Sequence, residues 1–160
     1  MSIIKTLNYV FLCIVATLPL SADKVSAGFG IGAMYSGIGV NITSSDENSL
    51  YYATIGCMEH SPNANALCGP GIGYITTNYW DKSNTKHGLG IHYGVVGGDT
   101  YMKSNGEIDW DEQLGISVGY YYFNNGINNT GLTSGITINM SEDRNTNTDY
   151  GVMLQLGYQF

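Results

Sequence analysis

The last eleven residues of the chain alternate strictly between two kinds of side chain. In an extended strand, successive side chains point to opposite faces, so every second residue lies on the same side. One face of this segment is apolar up to the final residue, with Tyr150, Val152, Leu154, Leu156, Tyr158 and Phe160. The other face carries mainly small or polar residues, including Gly151, Gln155, Gly157 and Gln159. The pattern predicts a β-strand with one face in an apolar environment.

The first residues have the three regions of a secretory signal peptide: one lysine, an apolar run and a small-residue cleavage site. The apolar run is too short to cross a bilayer as a helix. We expect cleavage after Ala22, which makes residues 1–22 the signal peptide and residues 23–160 a single mature domain. Cleavage after Ala27 is the alternative, but it would remove the start of the first alternating segment.

The terminal strand resembles the C-terminal strand of Gram-negative outer-membrane β-barrels, in which apolar residues at every second position precede a final Phe. The resemblance implies that the barrel-assembly machinery reads this strand through Val152, Leu154, Leu156, Tyr158 and Phe160. It also implies a location in the cell outer membrane, in contact with its lipids and lipopolysaccharide. The likeness to small barrels such as outer membrane proteins A and X is architectural and covers the whole mature chain.

The alternation changes phase near Ser36 and Gly37, which predicts a two-residue hairpin there or one bulged strand over residues 25–43. With the hairpin, the chain is an all-β protein, a single antiparallel up-and-down transmembrane barrel of eight strands. The later strands are expected over residues 50–58, 70–80, 88–95, 113–123, 131–141 and 150–160. An even number places both termini on one side, and the longest connection, 97–112, on the other.

Charge and aromatic residues follow this strand pattern. Only 12% of the residues are charged, about half the usual share, and the net charge of −7 argues against nucleic acid as a partner. The charges fall in the expected connections, as a lipid-facing surface requires. Aromatic residues suggest two girdles, one with Tyr51, Tyr52, Tyr79, Trp80, Tyr122, Phe123, Tyr158 and Phe160, the other with Tyr35, Tyr93, Tyr101, Trp110 and Tyr150.

Three cysteines are present, and Cys13 would be removed with the expected signal peptide. Cys57 and Cys68 then form an even pair in an exported protein, where thiols are oxidised, so we expect one disulfide.

Glycine strings in the chain do not indicate a nucleotide or hydrolase motif. Residues 115–119 match G-x-S-x-G, but the string lies inside an alternating strand with no helix after it. The repeated G-x-G elements also lack a following helix. Because an eight-stranded barrel has little interior space, we expect the glycines to make room for Tyr121, Phe123 or Met153.

His92 and Ser117 are the residues most suited to chemistry, because both fall on the predicted inner face of neighbouring strands. They could act as base and nucleophile, as in outer-membrane enzymes that modify lipid A. No carboxylate accompanies them in the strands, so a buried structural histidine bonded to Gln155 or Asn139 is the preferred interpretation.

An acidic group in the longest connection could bind a divalent cation through oxygen ligands: Glu107, Asp109, Asp111 and Glu112. A solvated acidic loop is the preferred interpretation, since no EF-hand spacing is present. We expect no metal and no cofactor.

The sequence thus favours a non-enzymatic integral outer-membrane β-barrel with a structural or surface-interaction role through its external loops. A lipid A deacylase or acyltransferase is the first alternative. A soluble exported barrel that binds a small ligand is the second.

Overall fold

The computed structural model describes residues 24–58, 67–79, 83–102, 106, 108–142 and 148–160. Within them, eight antiparallel strands form a closed barrel in which each strand pairs with the next and the last pairs with the first. The predicted fold class and strand number are therefore confirmed. The strands are β1 (Lys24–Gly32), β2 (Gly37–Ser45), β3 (Ser49–Met58), β4 (Leu67–Thr76), β5 (His87–Met102), β6 (Ile108–Phe123), β7 (Gly131–Glu142) and β8 (Thr148–Gln159). The predicted signal peptide lies outside the described residues.

The strands are strongly staggered. We start at Gly28 on β1 and move from each residue to its partner on the next strand. This path reaches Asp149 on β8. Gly28 itself pairs with Gln159, which is ten residues further along β8. A stagger of ten residues at ~3.3 Å each, set against eight strand spacings of ~4.8 Å, tilts the strands by about 40°. The interior of such a barrel is only wide enough to be filled by side chains.

We call the end with Lys24 and Phe160 the terminal end, and the opposite end the loop end. At the loop end the wall is uneven, because β1 and β2 have 9 residues each whereas β5 and β6 have 16. The last pair between β1 and β8 joins Ile31 to Leu156, so the first part of β8 extends beyond β1. The rim is lowest at β1 and β2 and highest at β5 and β6.

The outer face of the barrel is apolar. Large hydrophobic side chains from seven of the eight strands are exposed, with Ile38 at 67% and Ile42 at 65% among them. The buried polar side chains are nearly all uncharged Ser, Thr, Asn and Gln, and no Asp, Glu, Lys or Arg whose side chain is described is buried. The strands thus place apolar residues outward and polar ones inward, the reverse of a water-soluble barrel.

An aromatic and aliphatic cluster fills part of the interior: Met34, Tyr35, Leu50, Tyr52, Ile75, Tyr121, Phe123 and Ile127. Glycines on facing positions make the space. A Cβ added at Gly90 would lie 3.0 Å from the Tyr121 ring, and one at Gly157 only 2.2 Å from the Tyr35 hydroxyl. The steric role predicted for the glycines holds for Tyr121, and it extends to Tyr35.

The connection between β1 and β2 differs from both predictions. Gly32 pairs with Gly37, so the connection is four residues long, and it contains a 3₁₀ turn over Ala33–Tyr35. Residues 33–36 fold into the barrel and have no solvent exposure. The two glycines have φ values of 112° and 96°, which other residues rarely adopt, and this lets the chain turn inward. We call residues 33–36 the inward turn.

The longest connection was also predicted incorrectly. Most of residues 97–112 belong to β5 and β6, which continue as a two-stranded hairpin paired from Gly97 with Gln113 to Met102 with Ile108. Within the described residues, β4 pairs with β5 only as far as Gly94, and β7 pairs with β6 only as far as Gly115. The hairpin therefore extends beyond the closed wall, and acidic residues can occupy its strands because they lie outside the apolar face.

Three girdle assignments were wrong. Tyr35, Tyr52 and Phe123 are 0%, 2% and 2% exposed and lie inside the barrel. Tyr35 is in the inward turn, and Tyr52 shares the inward parity of Leu50 and Thr54. Tyr51, Tyr93 and Tyr150 do lie on the outer face, as expected.

The predicted disulfide is confirmed. Cys57 on β3 and Cys68 on β4 are directly opposite each other, with Cα atoms 3.9 Å apart, and their sulfurs are bonded. The strand β4 begins at Leu67 rather than at Pro70 as predicted, because the disulfide holds this part of the chain in register with β3. The bond thus joins two neighbouring strands at the loop end.

We predict that both thiols of the mature protein resist alkylation until a reductant is added. Replacing both Cys57 and Cys68 with Ser should lower the free energy of unfolding by about 2 to 3 kcal/mol, the entropy of closing a loop of this size in the unfolded chain. Mass spectrometry after alkylation and urea unfolding of the double variant measure the two effects. Free thiols in the untreated protein would contradict the assignment.

A second prediction concerns the glycines that face the interior. Gly157→Ala should destabilise the barrel by about 1 to 3 kcal/mol, because its methyl group would overlap the Tyr35 hydroxyl. Gly151→Ala is the matched control on the same strand and face, where the nearest atom is 3.9 Å from the added Cβ. Urea unfolding should separate the two variants, and equal stability would argue against the packing described here.

Candidate functional site

A row of polar side chains crosses the inner face of three neighbouring strands. His92 on β5 is directly opposite Ser117 on β6, which is opposite Asn139 on β7. His92 and Ser117 are completely buried. The structure therefore brings together the two residues that sequence parity placed on the inner face.

The expected partners of His92 were wrong. Its Nδ1 lies 3.3 Å from the hydroxyl of Tyr52, and the two rings are nearly parallel, with an angle of 9° between their planes. Gln155 instead accepts a hydrogen bond from the backbone of Met34. Tyr52 reaches His92 across the intervening strand because Gly73 leaves room: a Cβ there would lie 2.2 Å from the Tyr52 ring.

The buried polar atoms without a hydrogen-bond partner among the described residues include Ser36 Oγ, His92 Nε2 and Ser117 Oγ. Ser36, in the inward turn, and His92 both border Gly71. A Cβ added to Gly71 would lie 2.7 Å from Ser36 Oγ and 2.4 Å from His92 Cε1. Ser36 Oγ and the His92 ring thus lie close together between the inward turn and the wall, with hydrogen-bonding capacity that the described chain does not use.

The arrangement lacks the features of a hydrolytic dyad. A serine nucleophile needs a hydrogen bond to its base and a further group that orients the base. No hydrogen bond joins Ser117 to His92 within the described chain, and a tyrosine hydroxyl rather than a carboxylate contacts the imidazole. Neither side chain is reachable by a substrate, because both have zero exposure. The geometry suits a structural role.

The acidic residues considered as cation ligands are only partly described. Asp109 and Asp111 lie on β6 in the extended hairpin, and the Glu112 side chain is exposed. Glu107 lies outside the described residues, as do the side chains of Asp109 and Asp111. Among the residues that are described, no three His, Cys, Asp or Glu side chains come together in a group that could hold a metal ion.

The residues of the expected assembly signal lie on β8 and at its end. Val152, Leu154, Leu156 and Phe160 are exposed on the outer face, and Tyr158 is half-buried. The Phe160 ring packs against Phe29 and Tyr158, with ring centroids 5.9 and 5.3 Å away. Its backbone N–H donates to the carbonyl of Ala27 on β1. This contact extends the seam between the first and last strands.

Sequence reasoning missed Tyr52 and Ser36 as neighbours of His92. Tyr52 follows Tyr51 directly, and the parity of the flanking Leu50 and Thr54 was the signal that could have placed it inside. No comparable signal existed for Ser36, since its position depends on the inward turn.

Comparison with models of protein families, with curated proteins and with solved structures found no match to this chain. No helix in the described part of the chain is long and apolar enough to cross a membrane.

We predict that the wild type and Ser117→Ala both leave the acyl chains of lipopolysaccharide intact. The substitution should also change stability little, because the hydroxyl that it removes has no partner among the described residues. Ser26→Ala is the control, since the Ser26 hydroxyl bonds both Thr43 and Gln159, and it should cost about 0.5 to 1.5 kcal/mol. Mass spectra of lipid A before and after incubation measure the first effect. An acyl chain lost with wild type, but retained with Ser117→Ala or His92→Ala, would indicate an enzyme.

Proposed function

We propose that this protein is an integral outer-membrane β-barrel with a non-enzymatic role, structural or in surface interaction through its external loops. The observation that carries the proposal is the reversed distribution of polarity. A soluble protein rarely exposes a contiguous apolar patch of more than a few hundred Å². Here apolar side chains project outward around most of the barrel, which suits contact with lipid.

Strand length and tilt support the proposal. A transmembrane strand tilted by about 45° needs roughly 9 to 11 residues, and a barrel's apolar band is about 25 Å tall. The shortest strands here, β1 and β2, have 9 residues each. Charged residues occur in the strands only near their ends, as Lys24, Glu142 and Asp149 do, or in the extended hairpin.

Aromatic side chains near the terminal end also fit a membrane interface, where amphipathic rings favour the headgroup level. Phe29, Tyr158 and Phe160 form one cluster, and Tyr51 and Tyr74 form another with centroids 4.8 Å apart. His87 packs between two tyrosines, and its Nδ1 hydrogen-bonds the hydroxyl of Tyr120. At the loop end, Tyr93 and Tyr150 are exposed.

The side chains packed inside the barrel favour a structural or interaction role over transport or ligand storage. The inward turn enters from the loop end, and Ile127, in the β6–β7 connection, is buried from the terminal end. A porin needs a polar channel, and a soluble ligand-binding barrel needs a cavity, so both are less compatible with this packing. Among the described residues, the hairpin of β5 and β6 projects furthest at the loop end, and an external partner could contact it there.

The proposal predicts that Phe160→Gln reduces the amount of folded protein in the outer membrane, because the apolar residue at position 160 belongs to the strand that the assembly machinery would read. Phe29→Gln is the matched control: it removes a ring from the same aromatic cluster without changing the terminal strand. Membrane fractionation with a heat-modifiability assay on gels measures the folded amount. We expect a loss for Phe160→Gln that clearly exceeds the loss for Phe29→Gln.

Two results would count against the proposal. Recovery of the wild-type protein in the soluble periplasmic fraction would contradict the membrane location. Equal losses for the two variants would show that ring packing alone, rather than the terminal position, explains the effect.

A further inference from the structure

Three hydrogen bonds of the inward turn go to one side of the barrel wall. The Met34 N–H donates to Gln155 on β8, the Met34 carbonyl accepts from Asn41 on β2, and the Tyr35 hydroxyl bonds Thr133 on β7. All three strands lie within two positions of β1 around the barrel. The last residue of the turn, Ser36, instead lies beside β4, which is on the opposite side of the barrel from β8.

Ser36 is an unexpected residue for the backbone conformation that it adopts. Its φ and ψ are both 50°, in the left-handed region, and no other non-glycine residue in the described part of the chain has a positive φ. Glycine adopts this conformation without steric cost, and the same connection uses glycine at positions 32 and 37. A serine kept in a costly conformation indicates that its side chain has a role.

The Ser36 hydroxyl lies close to the imidazole of His92. A Cβ added to Gly71 would be 2.7 Å from Ser36 Oγ and 2.9 Å from His92 Nε2. The two atoms are therefore at most 5.6 Å apart, which is the sum of these distances. A single water molecule spans such a gap with two ordinary hydrogen bonds, and a direct bond forms at shorter separation. Both atoms are buried and have no partner among the described residues.

The other nitrogen of the His92 ring already has a partner on the wall. Its Nδ1 lies 3.3 Å from the Tyr52 hydroxyl, and the two rings are stacked. A neutral imidazole has one donor and one acceptor nitrogen, and a hydroxyl can take either role. In both tautomers, His92 can therefore join Tyr52 on β3 to Ser36 in the turn.

We propose that Tyr52, His92 and Ser36 form a hydrogen-bonded latch that holds the inward turn against the far side of the wall. The link between Ser36 and His92 is direct or passes through one water molecule. The turn is then a plug fixed on two sides, and Gly32 and Gly37 act as its hinges when the latch opens. The latch does not depend on the membrane location, so its failure would leave the proposed function intact.

Amide hydrogen exchange, followed by NMR on the protein folded in detergent micelles, measures how often the turn leaves the interior. The Met34 N–H reports on the turn, because it donates to Gln155 while the turn is in place. The Ile138 N–H reports on opening of the whole barrel, because Ile138 lies within β7 and is paired on both sides.

Ser36→Ala should raise the exchange rate of the Met34 amide about three- to tenfold, the range for one lost hydrogen bond, and leave that of Ile138 unchanged. Ser36→Gly should also raise the Met34 rate, although glycine fits the left-handed backbone better than serine. Ser117→Ala is the matched control: it removes another buried hydroxyl without a described partner, opposite His92 but outside the turn. We expect it to exchange like the wild type.

A double variant tests whether Ser36 acts through His92. In a His92→Phe background, Ser36→Ala should have no further effect on Met34 exchange, since the latch is already broken. Effects of the two substitutions that multiply would overturn the latch. If His92→Phe does not fold, the two Ser36 variants and Ser117→Ala still decide.

Three other results would also overturn it. One is an unchanged or slower Met34 exchange rate in both Ser36 variants. Another is an effect of Ser117→Ala as large as that of Ser36→Ala. The third is an equal rise at Ile138, which would show that the whole barrel, rather than the turn, had become less stable.

Discussion

Closure of eight strands with a stagger of ten residues is the constraint on which the rest of the structure depends. It fixes the strand tilt at about 40° and leaves an interior that side chains must fill. Filling it with large rings requires small residues opposite them, and the chain supplies glycines at those places: Gly157 faces Tyr35, and Gly73 faces Tyr52. Each ring therefore depends on a particular glycine, because a single methyl group would overlap it.

Closure also leaves some backbone groups of β8 without a partner on β1. Because β1 ends at Gly32, the first part of β8 extends past its last pair with β1. Unpaired strand edges would be costly in the lipid environment proposed above, where no water replaces the missing partner. The low side of the rim is also where the inward turn enters, and Gly32 lies against Gln155 of β8. Shortening of β1 and burial of the turn are thus two parts of one local arrangement.

Most strands could be predicted because alternation is a local property of the sequence. The segment 131–141 differs from β7 by one residue at its end, and parity correctly placed His92 and Ser117 inside as neighbours. The inward turn could not be predicted, since Ala33 and Tyr35 continue the alternation of β1. Its position depends on Gln155, which is 121 residues from Met34. The contact of His92 with Tyr52 spans 40 residues and also required the folded barrel.

The inward turn explains why several interior residues of the wall are polar. A buried turn carries backbone and side-chain polar groups that need partners. Gln155 accepts the Met34 N–H, Asn41 donates to the Met34 carbonyl at 3.4 Å, and the Thr133 hydroxyl bonds that of Tyr35 at 3.1 Å. These three wall residues bond the turn. Part of the polar interior of this barrel is therefore explained by the buried turn, in which the Ser36 hydroxyl alone is left without a partner among the described side-chain groups of residues 33–36.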